Sequence, residues 1–139
     1  MGLRRFSGRD APDRGAAAVE FALVLPLLLL IVFGIIDFGR ALNAQITLTQ
    51  AAREGARLAA LGQPDVVNRT QAAATGLSPV TVSVASCAAS AGPADNALVT
   101  VSYTFSFITP VGAIAGFFGG SGLGSDITMT AQGVMPCET

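Results

Sequence analysis

The sequence predicts an α+β protein: a long N-terminal transmembrane helix, about residues 16–61 and kinked near Pro26, continuing into a small external domain with a three-stranded antiparallel sheet. Three observations carry that expectation. From Ala16 to Ile36 the only charged residue is Glu20. From Arg40 to Gly62 the chain is rich in alanine, with no proline and no internal glycine but Gly55. Beyond residue 79 the apolar residues switch to a spacing of two, the period of a half-buried strand.

Residues 1–15 are polar and hold Arg4, Arg5, Arg9 and Arg14 against Asp10 and Asp13, so they read as a flexible cytoplasmic leader. The apolar run that follows would be about 31 Å long as a helix, close to the hydrocarbon thickness of a bilayer. Its uncharged part, Phe21–Ile36, is longer than the apolar region of a secretory signal, and Asp37, Phe38, Gly39 and Arg40 follow in place of a small-residue cleavage site. A retained anchor is therefore expected. Four arginines precede the run and Arg40 alone closely follows it, a bias that holds the N-terminus in the cytoplasm and sends the remainder across the cytoplasmic membrane. Arg4-Arg5-Phe6 resembles the start of a twin-arginine signal, but the long uncleaved anchor argues against that route.

Pro26 lacks the N–H that would bond the carbonyl of Ala22, and membrane helices accommodate such a bend. Residues 37–62 should project from the bilayer as the same helix. Leu42, Ile46, Thr49, Ala52, Ala56 and Ala60 recur at helical spacing as its inward stripe, and Gly62 with Pro64 stops it. A short helix is expected over 66–75. Val80, Val82 and Val84 form a first alternating set, Val99 to Phe107 a second and Ile127, Met129 and Ala131 a third, and the projecting helix is the natural cover for their apolar face. Residues 108–125 are apolar yet hold six glycines. They read as a connection with a short helical or membrane-touching piece near Val111–Phe118. Phe117 and Phe118 are either a contact surface or part of a loop folded on its own small core.

Composition narrows the function. Net charge is −1 and no block of like charge exists, so no nucleic-acid partner is expected. Histidine is absent, no nucleophile elbow or phosphate loop occurs, and the acids are scattered, so no catalytic constellation, cofactor or metal site is assigned. Cys87 and Cys137 fall in the exported part with 49 residues between them, and an oxidising compartment favours a disulfide over two free thiols.

The stretch RGAAAVEFALVLP then becomes informative. A carboxylate carried to a bilayer centre costs about 2.5 kcal/mol or more. Gly15 followed five positions later by Glu20, at the junction of a charged leader and an apolar helix, resembles the processing site of type IV pilin precursors. The resemblance implies cleavage by a prepilin peptidase between Gly15 and Ala16, with the acid meeting an N-terminal amine during assembly. The VEFALVLP start, the DFGR exit and the AAREGAR segment, within residues 15–62, resemble the TadE-like family of the tight-adherence (Tad, or Flp) pilus system. That family implies a minor pseudopilin held in the membrane and working with other pilins and pilus assembly proteins. Phe21, where the major pilin of the system has tyrosine, favours the TadE-like branch. Asp37 and Arg40 read as a local pair at the outer interface, and Arg53, Glu54 and Arg57 as a solvated helix face. The alternative is a membrane-anchored external adaptor unrelated to pili, which would need neither Gly15 nor Glu20.

Overall fold

The computed structural model describes residues 11–87, 92, 95–120, 122 and 124–137. The elements run α1 (Ala11–Ala60), α2 (Val66–Ala73), β1 (Val80–Ala85), β2 (Asn96–Phe105), α3 (Val111–Phe117) and β3 (Ile127–Pro136). The expectations placed on residues 1–10, and on most of the connection between β1 and β2, lie outside the described residues.

Helix α1 has 50 residues and passes through Pro26 without ending. It is about 75 Å long at 1.5 Å per residue. It begins five residues earlier than expected. Pro12 stands in its first turn, where a missing N–H has no helical partner to lose, so the end of the leader continues the helix instead of breaking it. The portion from Gly15 on is long and apolar enough to cross a membrane. At the other end Gly62 adopts φ 62°. Gln63 N–H donates to the Leu58 carbonyl at 3.0 Å and Gly62 N–H to the Ala59 carbonyl at 3.2 Å. This is a Schellman stop, and only glycine takes that left-handed turn without cost.

The sheet is a meander in the order β1-β2-β3 with both pairings antiparallel. Val82 lies opposite Val101, and Val101 opposite Ala131. One face lies on α1 and α2. Ala97, Val99, Val101 and Ala131 are buried there against Leu48, Ala51, Ala52, Ala56 and Ala59. Thr100, Ser102 and Thr104 of β2 point the other way and give that face a hydroxyl surface.

The inward stripe of α1 keeps Ala52, Ala56 and Ala60 of the expected set but not Leu42 and Ile46. Leu42 and Ile46 are about half exposed, whereas Ala44, Leu48, Ala51, Ala52, Ala56 and Ala59 are buried. Two glycines explain why. A Cβ on Gly133 would run into the Ala52 carbonyl group and lie 2.9 Å from Arg53 N. A Cβ on Gly55 would meet the Thr70 side chain and come to 3.0 Å from Val99. Helix and sheet approach backbone to backbone there, so small residues fill that stretch of the interface, while Leu48 and Leu58 are buried with them and Leu42 and Ile46 are turned out.

Cys87, just past β1, is bonded to Cys137, just past β3, with Cα atoms 5.9 Å apart. The two edge strands, which run in the same direction on either side of β2, are thus tied at one end. Cys137 N–H also donates to the Asp95 carbonyl at 2.9 Å.

Candidate functional site

The residues singled out from the sequence fall into three groups along α1. At its N-terminal end, Gly15, Ala16, Glu20 and Phe21 are all exposed. A Cβ on Gly15 would meet nothing within 4 Å, and its backbone is not left-handed. The fold therefore has no steric need for glycine at this position, in contrast to Gly55 and Gly133. Glu20 follows Ala16 by one helical turn, about 6 Å along the axis. Their side chains share one face of the helix, which is the geometry for a carboxylate to meet a charge at residue 16.

The second group sits where the apolar run ends. Asp37 is 1% exposed and yet is fully bonded. Arg40 Nη1 donates to Asp37 Oδ1 at 3.1 Å. The backbone amides of Ile108 and Thr109 donate to its two oxygens, each at 3.4 Å, and the Thr109 hydroxyl donates to Oδ2. Desolvation pushes the Asp37 carboxyl up, but the Thr109 hydroxyl, the Ile108 amide, the Arg40 guanidinium and the Thr109 amide together outweigh it and hold the pKa below its ordinary value. The Arg40 guanidinium lies 5.1 Å from the centre of the Phe105 ring and also donates to the Ser106 carbonyl at 3.4 Å. The Asp37–Arg40 pair is thus local, as its spacing implies, but its larger role is to clamp the chain leaving β2 onto α1. Sequence reasoning missed that role because the partners are backbone amides 71 and 72 residues away.

The third group is the AAREGAR segment, which divides by size. Ala51, Ala52, Gly55 and Ala56 are buried against the sheet, while Arg53 and Arg57 are exposed and Glu54 is half-buried. Arg57 Nη1 lies 3.5 Å from Glu54 Oε2, an open surface pair worth little. The segment's small residues therefore serve the chain's own packing, and its charges face outward.

Among the described residues no three potential ligands gather as a metal site. A concavity of about 430 Å³ lies between α1 and the start of α3, lined by Gly34, Phe38, Leu42, Phe107, Val111 and Met129 among others. Its wall is almost wholly apolar, with no grouping of nucleophile, base and oxyanion donor.

Residues 15–57 match the family model described as TadE-like protein. The matched segment starts at Gly15, takes in Asp37 and Arg40, and ends at Arg57, the last residue of AAREGAR. The match covers 43 of the 139 residues, all within α1, and makes that part of the chain similar to a family of the Tad pilus system. No curated protein and no solved structure gives a significant match.

Proposed function

We propose that the chain is a non-enzymatic, single-span minor pseudopilin that serves the assembly of a Tad pilus after a prepilin peptidase removes the leader behind Gly15. The observation that carries this reading is the family match beginning at a glycine for which the fold has no use. A peptide must unwind to enter a peptidase. Glycine lowers helix stability by about 1 kcal/mol relative to alanine, so a glycine near the free end of α1 eases that step. Cleavage would leave an ammonium group at Ala16, at the helix end where the dipole is already positive. Glu20, one turn on, offsets that charge in the same chain or meets the amine of a neighbour, which makes an acid in the bilayer tolerable.

The outer face of α1 fits the same reading. Ile31, Ile35, Phe38, Leu42 and Ile46 recur at spacings of three and four and are all at least half exposed. They extend an apolar stripe from the span into the external part of the helix. On a lone adaptor Phe38, Leu42 and Ile46, beyond the span, would be left facing water, whereas a subunit that packs helix to helix buries them.

Two experiments test the proposal. N-terminal sequencing of the membrane-purified protein from cells holding the peptidase should read from Ala16, and an intact Met1 start would sink the processing claim. Glu20→Ala should abolish the contribution to pilus assembly while the protein stays in the membrane. An adaptor would work unchanged with that substitution.

A further inference from the structure

The chain from Ile108 to Phe118 is held at the outer end of the apolar span. Two backbone amides of this segment, those of Ile108 and Thr109, donate to Asp37, the first residue beyond Ile36. Val111, which opens α3, lines the same apolar groove as Gly34, three residues inside the span. Helix α3 therefore overhangs α1 at the level of its residues 34–38, where the bilayer surface must lie if Phe21–Ile36 crosses the hydrocarbon. The segment presents bare apolar side chains. Phe117 is 85% exposed, Ile108 66% and Phe118 59%. No residue between Asn96 and Ser125 is charged.

We propose that residues 108–118 are a second membrane contact, with Phe117, Phe118 and Ile108 seated in the outer leaflet of the phospholipid bilayer that α1 spans. This rests on the membrane-anchored part of the proposed function and on nothing in its pilus assembly step. Three features select lipid over a protein partner. The segment borders the end of the span directly, with Val111 lining one groove together with Gly34 and Phe38. Within residues 108–118 the one polar side chain is that of Thr109, and its hydroxyl is bonded to Asp37. The segment's two adjacent aromatic rings on a short uncharged helix are the kind of side chains that interfacial segments bury at the headgroup boundary. The Asp37 clamp then fixes the tilt of the external domain against the bilayer, because the domain touches the membrane at the span and again at α3.

The sequence contains no tryptophan. A single one placed by substitution is therefore a clean reporter in the full-length protein. Three variants are compared after reconstitution into phosphatidylcholine–phosphatidylglycerol vesicles with or without brominated phosphatidylcholine: Phe117→Trp, Leu28→Trp in the span, and Val134→Trp on the outer face of β3. Aqueous iodide should quench the residue-134 indole strongly, and brominated lipid should leave it untouched. Brominated lipid should quench the residue-28 indole. The residue-117 indole should follow the residue-28 one, with quenching by brominated lipid and at least a several-fold smaller iodide constant than at residue 134. Iodide access at 117 equal to that at 134 overturns the proposal. Shielding from iodide without quenching by brominated lipid also overturns it, and identifies a protein, such as a second copy of this chain, as the occupant. Failure of the residue-28 indole to report lipid would overturn the membrane span itself, a result separate from failure at 117 alone.

Discussion

Asp37 joins two parts of the chain that sequence places far apart, and its energetics follow from what it bonds. Replacing it by alanine leaves the Ile108 and Thr109 amides and the Thr109 hydroxyl without their acceptor, at a cost of about 1–3 kcal/mol for unsatisfied buried groups. The same carboxylate makes the clamp sensitive to acid. Its folded pKa lies below the ordinary 3.8, so the stabilisation is complete above that value and is lost as pH falls through the lowered folded value. The expected outcome is that the protein in detergent, followed by thermal unfolding, loses more stability below about pH 4 than the Asp37→Asn variant does. Parallel acid limbs for the two proteins would remove Asp37 from the account. Gly15 offers the opposite lesson at this scale. Its neighbours leave it empty space, so its meaning lies outside the folded monomer.

Helix α1 meets β3 at a contact that tolerates no side chain. Gly133 has an ordinary backbone, so alanine there is not excluded by conformation; it is excluded by the Ala52 carbonyl, which belongs to a helix that cannot yield locally. Gly133→Ala should therefore destabilise the domain by about 1–3 kcal/mol, the usual cost of overpacking, whereas Gly39→Ala, which meets open space inside α1, should stabilise it by up to about 1 kcal/mol. Denaturant unfolding of the two variants checks the contrast, and equal effects would contradict a close helix–sheet approach. This contact also explains what was legible in the sequence. The strands were, because Val99, Val101 and Phe105 announce a buried face by alternation. The end of α1 was, because Gly62 and Pro64 admit one reading. The inward face of α1 was so only in part: Ala52, Ala56 and Ala60 lie on it, Leu42 and Ile46 do not. Hydrophobic periodicity ranks Leu42 and Ile46 above Ala44 and Ala51, but where backbones nearly touch, small size decides burial, and Leu42 and Ile46 are left outside while Leu48 is taken in. The Asp37 clamp was hidden for a different reason: its partners are backbone amides, which carry no sequence signature.

In the whole molecule the sheet domain is secured at two places. Near the span, Asp37 grips Ile108 and Thr109 and Arg40 reaches over Phe105; at the far end, the Cys87–Cys137 bond joins the ends of the two edge strands. Between them lies a core made largely of alanine and valine, whose burial contributes less per residue than leucine or phenylalanine would. A small domain of this kind leans on its cross-link. The chain-entropy relation for cysteines 50 positions apart gives about 4 kcal/mol. For a domain of this size that corresponds to a shift of roughly 15–30 °C in midpoint. The loss should also be uneven. In the Cys87→Ser, Cys137→Ser double variant the Cys137 end of β3 frays first, since its amide reaches only the Asp95 carbonyl beyond the last strand pairing, while the Asp37 end keeps every one of its bonds. Hydrogen exchange on the full-length protein should accordingly show faster amides at 133–137 and near-unchanged protection at 108 and 109. Uniform acceleration along the sheet would mean that the domain opens as one unit and that the two attachments are not independent. An unchanged midpoint would mean that the clamp and the alanine–valine core suffice without the cross-link.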